Sequence, residues 1–314
     1  MNRRPLGRSG LSIPPLVLGG NVFGWTVDEA GAFAVLDAFV DAGLSMIDTA
    51  DVYPAWVPGN EGGESETLIG NWLAQGGRRD KVVIATKVAK WSRHPGLAPA
   101  TIRAAAEESL ARLRIDTIDL YFAHEDDPSV PLEDTLGAFA RLIEEGKVRA
   151  IGASNYPAAR LAEALETSAK HGLPRYEVVQ PEYNLVSRKD YETQLEPLVR
   201  EHGLGVVPYY ALASGFLTGK YRTQEDLGSN PARAHGAGRH LNGHGLRVLA
   251  ALDDVARRHD AVPAQVALAW LMARPGITAP IASATSVAQV QELAGATALR
   301  LSGDDLQALD AASN

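Results

Sequence analysis

The chain has 314 residues, 46% of them hydrophobic and 22% charged, with a formal net charge of −8 at pH 7 and an isoelectric point near 5.5. These are ordinary globular values, and the acidic balance argues against a nucleic-acid-binding face, which would be basic. Cysteine is absent, which excludes disulfides, thiolate nucleophiles and cysteine-ligated metals. No apolar run approaches the roughly 18–20 residues of a membrane span. The start of the chain, Met1-Asn2-Arg3-Arg4-Pro5-Leu6-Gly7, is basic without an apolar core, so no secretory signal is expected and a cytoplasmic location is.

Residues 2–15 read as a short hairpin, Arg4-Pro5-Leu6 and then Ser12-Ile13, placed to plug the bottom of a barrel. After it, short β-branched runs alternate with longer amphipathic stretches. Strands are predicted over Leu16–Leu18, Met46–Asp48, Val82–Lys87, Ile118–His124, Val148–Ser154, Val178–Gln180, Gly205–Tyr209 and Thr278–Ser283. Helices are predicted over Asp28–Ala42, Glu64–Gln75, Pro99–Leu113, Leu132–Glu145, Pro157–His171, Tyr191–His202, Leu246–Arg274 (broken near Pro263) and Ser286–Ala294. Pro99, Pro131 and Pro157 stand at helix starts, where a missing N–H is harmless. Gly146, Gly172 and Gly203 end helices just before strands, where a left-handed cap suits glycine. A long glycine- and histidine-rich loop, 219–245, follows the seventh strand.

Eight strands, each followed by a helix, form a parallel sheet that must bury both faces. The expected fold is therefore α/β, a single-domain (β/α)8 TIM barrel with an N-terminal hairpin and a long loop after strand seven. A doubly wound open sheet is the alternative. It requires Gly-x-Gly-x-x-Gly after the first strand, and Gly19-Gly20-Asn21-Val22-Phe23-Gly24 has the wrong spacing.

Three polar residues close apolar runs: Asp48 after Met46-Ile47, Lys87 after Val82–Thr86, and His124 after Ile118–Ala123; Tyr53 lies in the loop just past the first. Residues at the C-terminal ends of parallel barrel strands meet at one mouth. A free phenol has a pKa near 10 and is a weak acid at neutral pH. A nearby ammonium, Lys87, is expected to lower it and make Tyr53 a proton donor. Asp48 would hold Lys87 in place and charged, and His124 would orient an incoming carbonyl oxygen. None of these groups carries electrons, so reduction needs an external hydride donor.

Five stretches then resemble the aldo-keto reductases: Met46–Tyr53, Ile84–Lys87, Asp119–His124, Gly146–Asn155 and Leu212–Lys220. They occur in that family's order over nearly the whole chain, and the long segment after strand seven is similar to the bacterial, potassium-channel β-subunit-like branch. The resemblance implies a barrel that reduces an aldehyde or ketone with a nicotinamide cofactor, using Tyr53 as general acid with Asp48, Lys87 and His124. It implies that Ser154, Asn155 and Gln180 hold the nicotinamide carboxamide and that Tyr209 stacks on its ring. Leu212, Ser214, Gly215, Leu217 and Lys220 would clasp the pyrophosphate, and Ser283, Thr285, Gln289 and Glu292 would meet the adenosine end.

Two departures bear on this. The branch usually reads Tyr-Ser-Pro-Leu after strand seven, where this chain has Tyr209-Tyr210-Ala211-Leu212. The family often has arginine where Thr285 stands, and threonine cannot neutralise a 2′-phosphate. NADPH is expected from the branch, and NADH use stays open. The resemblance also implies a rival role, a cofactor-binding redox sensor or scaffold like the channel β subunits. A small-molecule carbonyl partner is expected, without nucleic acid or membrane, and a homo-oligomer is left open.

Trp25, Trp56 and Trp91 follow the first three strands and are candidate walls of the substrate pocket. His235, His240 and His244 invite a metal reading, but glycines interrupt any helix that would align them, and no metal is expected. Arg233 and Arg239 in the same segment are available for phosphate.

Overall fold

The computed structural model describes residues 2–229 and 231–314. Eight strands form one parallel sheet: β1 Val17–Gly19, β2 Met46–Asp48, β3 Val83–Val88, β4 Ile118–Ala123, β5 Val148–Ser154, β6 Val178–Gln180, β7 Gly205–Val206 and β8 Ile281–Ala282. Paired neighbours run β7-β6-β5-β4-β3-β2-β1-β8. The seam between β7 and β8 closes through single backbone bonds, Thr278 N–H to the Val206 carbonyl (2.8 Å) and Ile281 N–H to the Pro208 carbonyl (2.9 Å). Pro208 and Pro280 explain why these strands are shorter than the predicted Gly205–Tyr209 and Thr278–Ser283: proline has no N–H to give to a ladder.

Eleven helices accompany the sheet among the described residues: α1 Glu29–Asp41, α2 Glu64–Leu73, α3 Pro99–Leu113, α4 Leu132–Glu144, α5 Ala158–His171, α6 Glu196–His202, α7 Pro231–Gly238, α8 Gly243–Arg258, α9 Pro263–Ala273, α10 Val287–Gly295 and α11 Gly303–Ser313. Their apolar faces and the outward side chains of the strands make the larger core, in which Trp72, Phe139 and Trp270 are buried. A second core fills the barrel lumen with Val17, Met46, Val83, Leu120, Phe122, Val178 and Ile281. Alternation along each strand separates the two sets.

The N-terminal hairpin, Arg4–Pro5 paired with Ser12–Ile13, sends Leu6, Leu11 and Ile13 into the lumen core. These cap the end where the strands begin. The contact is backbone on backbone: a methyl group at Gly205 would lie 2.7 Å from the Gly7 nitrogen. With the bottom plugged, the other end of the barrel is left for a site.

The structure adds three elements to the sequence expectation. A small hairpin, Lys90–Trp91 with His94–Pro95, follows β3. Helix α7 lies inside the segment expected to be a loop; Gly236 and Gly238 obscure its pattern. Helix α11 buries only Asp305, Leu309 and Ser313, too few apolar positions to show periodicity. It is held by a Ser302 capping box and by Asp305, which accepts from Arg258 (2.6 Å) and meets His259 (2.8 Å). The break near Pro263 lies where expected, between α8 and α9.

Phe122 on β4 is the register partner of Gly152 on the neighbouring strand β5. A methyl at Gly152 would overlap the Phe122 ring and sit 2.7 Å from the Val178 carbonyl oxygen, whereas the same position at Gly137 on α4 is open. Gly152→Ala is expected to lower unfolding free energy by about 1–3 kcal/mol. Gly137→Ala is expected to raise it by about 0.5–1 kcal/mol. Urea melts of the two variants check both signs.

Candidate active site

Asp48 ends β2, Lys87 stands one residue before the end of β3, and His124 follows β4 directly. Asp48 and Lys87 point into the upper lumen. The Lys87 ammonium is fully buried, 2.7 Å from Asp48 Oδ2, and donates to the Thr49 carbonyl at 2.6 Å. The other Asp48 oxygen accepts from Gln180 Nε2 at 2.8 Å, from the end of β6. Tyr53 lies above them in the β2–α2 loop, before a cis Tyr53–Pro54 peptide. Lys87 Nζ is 5.0 Å from the Tyr53 ring centroid. The phenol ring stands edge-on to His124, with centroids 5.8 Å apart. The structure thus brings Asp48, Tyr53, Lys87 and His124 together at the open end of the barrel.

Burial pushes the Lys87 ammonium down, and the charge and hydrogen bond of Asp48 oppose that push. Burial, with the positive charges of Lys87 and Lys90, holds His124 well below the usual histidine range. Its imidazole is therefore neutral, and Nδ1 is buried with no hydrogen-bond partner among the described residues. For Tyr53 the structure corrects the expected direction. Burial raises the phenol well above its ordinary value, and the negative charges of Asp48 and Asp51 and the phenol of Tyr210 add to this. The physical reason is first the loss of solvation that an ionised phenol would suffer there, to which the carboxylate of Asp48, paired with Lys87 at 2.7 Å, adds. Tyr53 is accordingly a neutral O–H donor.

A chain of hydrogen bonds ties the ends of the next strands. Ser154 Oγ donates to the Gln180 carbonyl at 2.9 Å. Asn155, in the left-handed region at φ 57°, donates to the His124 carbonyl (2.9 Å) and to Ser154 Oγ (3.1 Å). Its Oδ1 accepts from the Tyr209 hydroxyl at 2.8 Å. A cavity of about 490 Å³ opens beside Asn155, Gln180 and Tyr209.

After β7 the backbone takes positive φ at Tyr210, Ala213, Ser214, Gly215 and Gly219, with Leu217 buried beneath and Leu212 packed on the core. Lys220 follows, and Arg233 reaches over from α7. Burial and mutual repulsion push Lys220 down, burial pushes Arg233 down, and neither forms an ion pair among the described residues. Helix α7 presses Gly236 against Ser214. At the β8 end, Ser283 Oγ donates to Asn21 Oδ1 at 2.6 Å. Gln289 Oε1 accepts from the Thr285 N–H at 2.8 Å, and the Glu292 carbonyl accepts from Gln265 at 2.9 Å.

The three tryptophans separate. Trp25 and Trp56 meet edge to face with centroids 5.6 Å apart, Trp56 meets the Tyr53 ring at 5.6 Å, and the Arg233 guanidinium covers Trp25 at 4.9 Å. Trp91 is a correction to the expected pocket wall. It is 4% exposed, donates to the Glu61 carbonyl at 2.8 Å and packs under Arg112 at 5.0 Å, because the hairpin after β3 folds it inward.

Sequence reasoning missed the layer behind Lys87. Glu66 on α2 is fully buried; it accepts from Thr86 Oγ1 at 2.5 Å and pairs with Arg112 at 2.7 Å. Asp51 is also fully buried. Its signal was its place between Asp48 and Tyr53; for Glu66 it was a lone acid on the apolar side of α2.

Residues 15–314 match the model of the aldo/keto reductase family. The chain is 34% identical to Protein tas of Escherichia coli strain K12, over 99% of this chain and 97% of that protein. It is 36% identical to the uncharacterized oxidoreductase YrpG of Bacillus subtilis strain 168, over 97% and 94% of the two chains. A probable voltage-gated potassium channel subunit beta of Arabidopsis thaliana is 32% identical over 93% of this chain and 90% of its own length. With a parallel eight-stranded barrel and a match of this extent, the chain belongs to the aldo/keto reductase family and is an oxidoreductase of it.

Proposed function

We propose that this protein reduces an aldehyde or ketone to an alcohol with a reduced nicotinamide cofactor, Tyr53 acting as the general acid. The observation that carries the reading is Lys87, fixed 2.7 Å from Asp48 and 5.0 Å from the Tyr53 ring at the open end of the barrel. When bound, the cofactor supplies the hydride that no side chain can supply. Tyr53 and neutral His124 then offer an O–H and an N–H donor to one carbonyl oxygen, and Tyr53 gives up the proton. Trp25 and Trp56 form an apolar wall beside the phenol.

The remaining residues fit such a cofactor. The amides of Asn155 and Gln180 complement a carboxamide, and the Tyr209 ring offers it a stacking face. The left-handed turn at 213–215, with two cations that form no ion pair among the described residues, suits a pyrophosphate. Thr285 lines an acidic cleft with Asp28, Glu29 and Glu64, in which no lysine or arginine among the described residues takes part. NADPH remains the reading from the branch resemblance, and this cleft supports accepting NADH as well. The scaffold reading, drawn from the channel β subunits, shares the whole site. Native mass and turnover on a carbonyl panel separate the two.

Tyr53→Phe is expected to lower kcat by roughly 10²–10⁴-fold, the usual weight of general acid catalysis, while cofactor binding by fluorescence titration stays near wild type. Near-normal turnover in that variant sinks the proposed acid. Thr285→Arg is expected to tighten NADPH relative to NADH by about tenfold, since about 1.4 kcal/mol from one charge-assisted bond gives that ratio. An unchanged ratio of the two dissociation constants would remove Thr285 from the adenosine end.

A further inference from the structure

Three carboxyls are buried behind the mouth, and among the described residues only two cations are paired with them. Asp48 is paired with Lys87 at 2.7 Å, and Glu66 with Arg112 at 2.7 Å. Asp51 is the third. It is 0% exposed, no side chain among the described residues hydrogen-bonds to either of its oxygens, and the neighbouring Val52 N–H is the one polar group that favours its charged form locally. Its backbone N–H donates to the Lys87 carbonyl at 3.3 Å, which ties the loop that carries Tyr53 to β3. The hydroxyl of Tyr121 on β4, in the field of both Asp51 and Glu66, is likewise buried and unpartnered among the described residues.

An isolated carboxylate in such a place is expensive, and the usual resolution is to take up a proton. We infer that Asp51 holds a proton in the resting protein and acts as a positioning residue for Tyr53: while protonated it keeps a third negative charge away from the phenol, and on losing the proton it switches that charge on. The charged and titratable groups around it are Asp48 on β2, Tyr53 on its own loop, Glu66 on α2, Lys87 on β3, Arg112 on α3 and Tyr121 on β4. Burial and then the charge of Glu66 push the Asp51 carboxyl up to about 8, against smaller opposing effects of the Val52 N–H, Arg112 and Lys87. Ionised Asp51 raises the Tyr53 phenol further and so weakens it as an acid. The positioning role rests on the proposed role of Tyr53; the buried proton does not.

Because the folded carboxyl titrates above the ordinary aspartate value near 4, the folded state binds more protons than the unfolded chain between about 4 and about 8. The associated stability is complete below the lower value, falls as pH rises and levels off above the upper one. Asp51→Asn has the shape of the protonated acid and should escape that loss. Its Tm is expected to pull ahead of wild type across this window by a few degrees and then run parallel. Infrared spectra of wild type alone should show the C=O stretch of a protonated carboxylic acid near neutral pH, vanishing above about 8 and missing from Asp51→Asn. An absent band, or melting curves that stay parallel throughout, overturns the inference even if the variant folds poorly. In turnover assays on a carbonyl panel, the alkaline fall of kcat/KM should move to higher pH in Asp51→Asn. An unmoved limb overturns the link to Tyr53. The infrared band without turnover in wild type sinks the reductase reading and leaves the proton on Asp51 supported.

Discussion

Removing an ammonium from water costs several kcal/mol even after the protein relaxes, and Lys87 is buried completely among aliphatic strands. It is tolerated because Asp48 and the Thr49 carbonyl receive it at 2.7 and 2.6 Å. Asp48 is in turn held by Gln180 from the far side of the barrel. Such a pair contributes little net stability and would be matched by a well-packed apolar pair of similar volume. Its effect is to fix position. The ends of β2 and β3 are locked by an ion pair and β6 is tied to them by the Gln180 amide, so the geometry of the mouth depends on the barrel closing in register.

Burial and pairing also decide the chemistry available above it. A lone ammonium would have drawn the Tyr53 phenol toward ionisation; burial, with the added charge of Asp48, drives it the other way. The mouth therefore presents a neutral phenol and a neutral imidazole, His124 being discharged by burial and by Lys87 and Lys90. Two uncharged donors in a low-dielectric pocket can meet developing negative charge on oxygen without first giving up a counter-ion. The excess carboxyl, Asp51, lies next to this balance, which is why its proton matters.

On the opposite side of the mouth, charge is left unbalanced. The seam strands are interrupted by Pro208 and Pro280, so the chain after β7 leaves the sheet early and turns through a run of positive φ. Lys220 and Arg233 face one another there without an ion-paired carboxylate among the described residues, each depressed by burial. Arg233 also lies over Trp25, and Trp25 leads through Trp56 to Tyr53. One helix, α7, thereby joins the cationic side of the site to its aromatic wall.

Much of this was legible in the order of residues. Hydrophobic runs and their spacing determine eight strands with helices between them, and the polar residue at the end of a run determines which groups meet at the mouth, because both signals are local. The lumen plug was readable for the same reason, from Leu6 and Ile13 in a short hairpin. What only the tertiary structure decided depends on distance and burial between remote positions. Gln180 reaches Asp48 across 132 positions, Arg112 reaches Glu66 across 46, and neither pairing leaves a periodic trace. Trp91 follows its strand just as Trp25 and Trp56 follow theirs, yet a short hairpin turns it into the core. The sign of the Tyr53 shift required knowing how the phenol is buried and that Asp48 lies near it. Local pattern decides which groups arrive; only the folded field, set by what each charge is paired with and how deeply it is buried, decides their protonation.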